Sequence, residues 1–353
     1  MTFALVIVLV FAVLGAPLFA VFGGAALELF SSGGLDTTGV AIDVFGDKFA
    51  NSPTLVTIPL FTFAGYLMAE SGTPKRLVEV SRAVFGWLPG GLAMVALAAS
   101  AFFTTFTGGS GITIVAVGGL LYPALLSDRY PKSFSLGLVT TGGSLGLLFP
   151  PSLPIILYAV VANIDVDPLF LAGVVPGLVT VAALFLYSLV LARRSKVPST
   201  KFDLRAAGRA IWMAKWELLL PVALVAGLLG GLRIHEASAF TAVYVLVVQC
   251  FVYKDLSVRR DVPRIVRESM TMVGAILAIL ACALGFTSFL IQAEVPAWIL
   301  DKMESLITSQ FMFLLVLNLF LLVVGMLMDI FSAIVVVVPL IVPIANHFCV
   351  HPV

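Results

Sequence analysis

Two short stretches combine oxygen-bearing side chains with residues that open the backbone. One is Thr107-Gly108-Gly109-Ser110-Gly111, with Thr113 two residues on; the other is Thr141-Gly142-Gly143-Ser144. Glycine lets the chain leave the helical path and expose carbonyls, while Ser and Thr supply neutral oxygens. Carbonyls left unpaired at the C-terminal end of a half-helix also sit at the negative end of its dipole. Neutral oxygens of this kind suit a hard cation. The opposite half-helix ends present N–H groups, which suit a carboxylate. Pro150 and Pro151 cannot donate a backbone N–H and would hold the second break open. A third candidate break, Gly325-Met-Leu-Met-Asp329, carries the only acidic residue of the apolar block 306–346. An ionisable group at membrane depth is a functional hypothesis by default.

The rest of the chain must hold these breaks inside a membrane. It is 61% apolar and 11% charged, with mean hydropathy +1.13. Soluble domains average about 45–50% apolar and about 25% charged. The composition therefore predicts an all-α polytopic membrane protein. In hydrocarbon, broken helices survive only where protein or a wet cavity satisfies their backbone, so closely spaced breaks point to a site buried at membrane depth. Such Gly/Pro-interrupted segments are the sequence mark of a secondary transporter's binding site. The net charge of +1 gives no indication of nucleic acid. Cys250, Cys282 and Cys349 lack metal or disulfide spacing and read as small buried hydrophobes.

A span needs about 20 apolar residues. Thr2–Gly23 is the first candidate, with no basic residue before it to suggest a cleaved signal. An amphipathic stretch (24–50) with Asp36, Asp43 and Asp47 follows, and then Pro53–Ala69. Residues 71–90 carry Lys75, Arg76 and Arg82 between apolar positions, with Trp87 as an anchor, and predict a helix lying in the interface. Residues 91–107 and 112–126 are too short to span comfortably and predict a re-entrant hairpin, 91–126, with its tip at Gly108–Gly111. Residues 134–163 form a segment broken around Gly142–Pro151, and Pro168–Ala192 is a further span. The basic loops 193–216 and 254–267 belong on the cytoplasmic side by the positive-inside rule, and counting spans back from 193–216 puts 71–90 and 127–133 there too, in agreement with their Lys and Arg. Spans at 217–233 and 237–253 lie between those two loops, and 269–292 follows them.

The order span, interfacial helix, limb, break, limb recurs at 269–345, starting from the other side of the membrane. This predicts inverted repeats, 1–192 and 217–353 separated by the loop 193–216, with a second re-entrant hairpin at 310–345. The bland alternative is that 306–327 simply spans, with Asp329 in water at its end. The broken segment and span that follow the first hairpin have no counterpart after the second, so a C-terminally truncated second repeat is expected.

Two rivals come from other classes. Gly108-Gly109-Ser110-Gly111 fits the GxSG of intramembrane serine proteases, and Gly142-Gly-Ser-Leu-Gly146 fits a GxSxG nucleophile elbow. Either would need a His base within reach, and the elbow a strand-to-helix turn. No His lies within an apolar span and no sheet is foreseen, so an enzyme is not expected. The other rival is a stand-alone Na⁺-coupled anion or carboxylate transporter with the same two-hairpin architecture.

Three motifs in order resemble the large membrane subunit of the tripartite ATP-independent periplasmic (TRAP) transporters, the DctM-like family. They are Thr107-Gly-Gly-Ser-Gly-Ile-Thr113 with Gly118-Gly-Leu-Leu-Tyr-Pro123; Gly142-Gly-Ser-Leu-Gly146 with Pro150-Pro-Ser152; and Gly325-Met-Leu-Met-Asp329 with Pro339 and Pro343. The resemblance implies an elevator-type, Na⁺-coupled importer in the cell inner membrane. It further implies a small carboxylate substrate delivered by a periplasmic binding protein, a smaller membrane subunit of about four helices, and no cofactor beyond Na⁺ as coupling ion. Where the family more often has Ser-Gly-Ser-Ser at the first tip, this chain has Thr107-Gly108-Gly109-Ser110, one hydroxyl fewer. On this basis one Na⁺ is expected near Ser110, Thr113, Gly142 and Ser144, and a second near Asp329.

Overall fold

The computed structural model describes residues 3–33, 54–88, 90–194, 203–295, 298, 307, 309–328, 330–351 and 353. The expected amphipathic stretch with Asp36, Asp43 and Asp47, most of the interfacial stretch 295–308, and Asp329 lie outside the described residues. Every regular element among the described residues is helical. Among the described residues five helices are long and apolar enough to cross a membrane, or up to seven if each of two bent pairs is one span. The chain divides into two compact units, and the division falls inside two of the helices.

The first unit comprises 1–55, 157–165 and 272–353. Thr2–Gly23 is not one span. It is α1 (Phe3–Val13), a turn, and the start of α2 (Leu18–Ser32). The turn has a physical cause: Gly15 adopts φ +85°, and Pro17 cannot donate into a continuing helix. The two helices pack closely enough that a Cβ on Gly24 would touch Val8 at 3.4 Å. Phe22 and Phe30 of α2 meet Phe286 and Phe289.

Further along this unit are two apolar helices, here called hairpin limbs, Gln310–Leu327 and Ile330–His347. Phe313, near the start of the first limb, stacks on Phe348, just past the end of the second, with centroids 4.7 Å apart. Gln310 Nε2 donates to the Cys349 carbonyl at 3.2 Å. The limbs therefore run antiparallel. Gly325 stays helical with open space around it, and the first limb ends at Met328, whose backbone is extended.

The second unit comprises 56–156 and 166–271. Its helices are α3 (Thr57–Glu70), α4 (Thr73–Phe85), α5 (Gly91–Thr107), α6 (Ser110–Ser127) and α7 (Lys132–Leu145, with one 3₁₀ turn to Leu148). There follow α8 (Leu153–Ala162), α9 (Val166–Arg194), α10 (Leu204–Met213), α11 (Lys215–Leu229), α12 (Ile234–Val252) and α13 (Asp261–Gln292); α8 and α13 both continue beyond this unit. Its core is built on α5, which buries Ala93, Val95, Leu97, Phe103 and Phe106 almost completely. A helix apolar on every side belongs in the middle of a bundle. α5 and α6 are antiparallel: Gly90, before α5, lies so close to Tyr130, after α6, that a Cβ there would sit 3.3 Å from the phenol oxygen.

The tip between α5 and α6 is narrower than expected. Only Gly108 and Gly109 leave the helix, and Ser110 and Gly111 form the first turn of α6. The broken segment also opens later than expected. Gly142–Ser144 remain helical, and the break falls at Phe149–Ser152, where α8 departs from α7 at 51°. Prolines impose a break because they lack the N–H and bias the preceding residue to extended backbone; Phe149 is extended. A glycine pair merely permits one. Within the stretch expected to be a basic loop, residues 204–213 form α10, capped by the Asp203 carboxylate, which accepts from Arg205 N at 2.9 Å.

Candidate functional site

The glycines of α7 work by letting it approach the hairpin. A Cβ on Gly146 would run into Ala101 O and would meet Thr105 N at 2.5 Å, and one on Gly143 would meet Ile114 at 2.6 Å and Ser110 O at 3.0 Å. Gly142 faces the Ser100 side chain. Gly118 fits against Val139 of α7, whereas Gly119 faces open space. From the other side, Gly65 of α3 comes up against Thr107 Cα and Phe106 O. Leu153, at the start of α8, closes over Gly108 at the tip, where φ is +62°. The hairpin tip is thus enclosed by α3, α7 and the break before α8.

Inside this enclosure lies a cluster of oxygens. Thr104 Oγ1 lies 2.7 Å from Ser100 O, 2.9 Å from Thr113 Oγ1 and 3.1 Å from Gly143 O. Thr113 Oγ1 lies 3.1 Å from Thr107 Oγ1 and 3.4 Å from Gly109 O. All three threonines are fully buried. Each hydroxyl has one proton to donate and two lone pairs. The three protons are therefore shared among three hydroxyl oxygens and the carbonyls of Ser100, Gly109 and Gly143. Lone pairs outnumber donors among these six oxygens.

Thr107, Thr113 and Gly143 thus come together, and Thr104 joins them. Thr104 lies outside the Gly-rich motif, so the motif alone does not single it out. Its spacing of three from Thr107 on an apolar helix places both on one face, and that is the signal the sequence holds. Ser144 does not join the cluster: it is exposed, and its hydroxyl donates to Thr141 O at 2.9 Å. Thr141 is also exposed. Ser110 is half-buried and approaches α7 through its carbonyl. Gly111 faces open space at the N-terminus of α6, whose first N–H groups have no helical partner. Four buried hydroxyls have no hydrogen-bond partner among the described residues, those of Thr62, Tyr130, Ser152 and Ser188; Thr62 of α3 and Ser152 of the break lie on segments that border the tip. Beside the break, an apolar recess of about 280 Å³ is lined by Ala101, Phe102, Thr105, Phe106, Phe149, Pro150 and Pro221. Pro151 follows Pro150 through a cis peptide bond.

A second polar cluster is not foreseeable from the sequence pattern. Arg76 reads in sequence as a solvated or headgroup-facing charge, yet its side chain is 15% exposed and fully engaged. Its Nε contacts Glu217 Oε1 at 2.5 Å, and its two terminal nitrogens reach Asp255 Oδ2 at 2.8 Å and Gln249 Oε1 at 3.1 Å. Its guanidinium lies 3.8 Å from the centre of the Tyr253 ring. Gln249 Nε2 donates to Thr73 Oγ1 at 3.0 Å, Tyr253 Oη donates to Glu217 Oε2 at 2.7 Å, and Gly72 N donates to Asp255 Oδ2 at 2.8 Å. Burial first, and then the hydrogen bond to Glu217, push the Tyr253 phenol well above its usual range. This knot joins three segments that the positive-inside rule places on one side of the membrane: the start of α4, the start of α11, and the chain after α12. Their meeting agrees with that assignment.

The GxSxG match fails on geometry. Gly142–Gly146 lies on a helix, and Ser144 Oγ is committed to its own backbone. The comparison with known proteins points the same way. Residues 5–353 match the family described as tripartite ATP-independent periplasmic transporter, DctM component. The chain is 33% identical over 347 residues to the isethionate TRAP transporter permease protein DctMQ of Oleidesulfovibrio alaskensis, covering 97% of this chain and 54% of that relative. It is 33% identical over 335 residues to the C4-dicarboxylate TRAP transporter large permease protein DctM of Rhodobacter capsulatus, covering 90% and 75%. It is 28% identical over 349 residues to the 2,3-diketo-L-gulonate TRAP transporter large permease protein YiaN of Escherichia coli, covering 94% and 81%. The chain thus spans about half the length of the first of these relatives and about three quarters or more of the others. A hairpin enclosed by a proline-broken helix, in an all-helical membrane protein matched to this family from residue 5 to its last residue, is a transporter subunit and not an enzyme: the chain belongs to the DctM family of TRAP transporter large permeases.

Proposed function

We propose that the chain is the large membrane subunit of a Na⁺-coupled, elevator-type TRAP importer in the cell inner membrane. In this proposal a periplasmic binding protein delivers a small carboxylate and a small membrane subunit completes the transporter. The observation that carries it is the oxygen cluster of Thr104, Thr107, Thr113 and the Gly143 carbonyl, buried and without formal charge. Na⁺ bound there would exchange water for neutral oxygens at a half-helix C-terminus, where the dipole favours a cation. The buried, unpartnered hydroxyls of Thr62 and Ser152 lie on segments that touch the tip and are further oxygens open to such an ion. The open N-terminus of α6 at Ser110–Gly111 offers N–H groups to a carboxylate. Asp329 is assigned to a second Na⁺ on its sequence position alone.

The names of the relatives include isethionate, C4-dicarboxylates and 2,3-diketo-L-gulonate. All are small organic anions, which fits an anion-accepting helix end. The test is uptake in proteoliposomes holding this subunit with its small partner subunit, with and without a Na⁺ gradient and a cognate binding protein. Uptake requiring both is expected. Na⁺-driven uptake without any binding protein would replace this proposal with a stand-alone anion transporter, and uptake indifferent to Na⁺ would overturn the ion assignment.

A further inference from the structure

Helix α10 buries almost nothing of itself. Ala207 and Ala210, with Ala214 just beyond, are its buried positions, spaced to form one narrow stripe that packs on α4. At 100° per residue, Leu204, Gly208 and Ile211 fall together on the adjoining face, with Trp212 at that face's far border. Leu204 is 74% exposed and Trp212 70%. Arg205 and Arg209 fall next, beyond Trp212, and neither makes an ion pair among the described residues. Lys215 sits over the Trp212 ring at 3.8 Å. The two acids that flank α10 in sequence are committed elsewhere: Asp203 caps α10 through a backbone N–H, and Glu217 is held in the Arg76 knot. α10 meets α11, an apolar helix of 15 residues, at 68°. An amphipathic helix turned this far from an apolar neighbour suits a position along the membrane surface.

We infer that α10 is a binding surface for anionic lipid headgroups, with Leu204, Ile211 and Trp212 seated at the acyl boundary and Arg205, Arg209 and Lys215 among the phosphates. Apolar stripe, border tryptophan and adjoining basic row, in that order around one helix, match the layering of a bilayer from acyl chain to headgroup. A protein partner would be expected to present acids opposite the basic row while also burying the stripe. A lipid leaflet meets both demands without any designed contact.

The test titrates phosphatidylglycerol or phosphatidylcholine into the purified subunit in neutral detergent and follows the thermal unfolding midpoint. Phosphatidylglycerol is expected to raise the midpoint and phosphatidylcholine to leave it unchanged. The double variant R205Q/R209Q is expected to need roughly tenfold or more phosphatidylglycerol for the same shift. The control R259Q/R260Q removes the same charge from an exposed loop and is expected to respond like the parent. An equal response in both double variants would overturn the assignment. So would a shift reproduced by inorganic phosphate, which would mean a simple anion site, or a cross-link from position 212 to a protein subunit rather than to lipid in native membranes.

Discussion

The hairpin tip and the Arg76 knot are both buried polar clusters in the same unit, and they are built on opposite principles. The knot holds formal charges in direct contact: one guanidinium faces two carboxylates, an amide and an aromatic ring. The tip holds no charge, and its oxygens outnumber its protons. Paired charge makes a brace, whereas surplus lone pairs would, under the Na⁺ proposal, receive an ion. The difference also fits position, since isolated charge is costly at membrane depth while neutral oxygens are tolerated there when they satisfy one another.

The largest expected effect comes from breaking the brace. Arg76→Ala leaves the buried Glu217 with no cation, and removing one partner of a buried pair costs about 3–5 kcal/mol. The unfolding midpoint of the purified subunit should fall steeply. Adding Glu217→Gln should recover part of the loss, because the uncompensated charge goes with it. If R76A melts with the parent, Arg76 is a surface charge after all and the contrast between brace and receptor collapses.

Next in size is the fit between the tip and the broken helix. Gly146→Ala drives a Cβ into Ala101 O and Thr105 N, both backbone atoms that cannot swing aside. Overpacking of this kind costs about 1–3 kcal/mol. Gly119→Ala, into open space on α6, should be neutral or slightly stabilising, as helix propensity favours Ala. Equal midpoints for G146A and G119A would show that α7 does not seat against the hairpin as described.

Much of this arrangement is legible in the sequence because membrane physics leaves few options. The apolar runs, the Gly108–Gly109 tip and the proline break all follow from backbone that must be satisfied. Three things are not legible. Gly142 and Gly143 look like a break but act as a docking surface, since a missing side chain allows close approach as readily as it allows a turn. Thr104 lies outside the motif, and only the packing of α7 brings Gly143 O within 3.1 Å of it. The Arg76–Glu217 pair spans 141 residues; local pattern sees an arginine beside Lys75 in an amphipathic stretch and places it at the headgroups. The last two gaps have one cause, in that pairwise chemistry across helices is decided by tertiary packing and leaves no trace in spacing.

A smaller effect should separate the tip oxygens from their exposed neighbours. Thr113→Val and Thr104→Val each remove a hydroxyl from the cluster while keeping its volume. Under the Na⁺ proposal each should raise the Na⁺ concentration for half-maximal uptake by roughly tenfold, about 1.4 kcal/mol. Ser144→Ala, which removes an exposed hydroxyl bonded to Thr141 O, should leave it unchanged. A shift with S144A and none with the two threonine variants would move the ion to the other side of α7.

The smallest effect returns to the knot through pH. The single Tyr253 phenol proton lies between two acceptors, Glu217 Oε2 at 2.7 Å and Met213 O at 2.6 Å, a contribution of about 1 kcal/mol. Its pKa is raised from 10.0, by burial foremost and then by the Glu217 hydrogen bond and charge. The folded phenol therefore keeps its proton at a pH where the unfolded chain has lost it. The linked stability is fully present below pH 10.0 and is lost as pH rises above that value toward the folded pKa. Parent and Y253F should thus differ in unfolding midpoint at pH 8, and the gap should close as pH climbs past the phenol's ordinary range. Other titrating groups move both proteins alike and cancel in the difference. A gap that stays constant through pH 11 would mean that the phenol does not reach Glu217, and the knot would lose the contact that ties the chain after α12 to the start of α11.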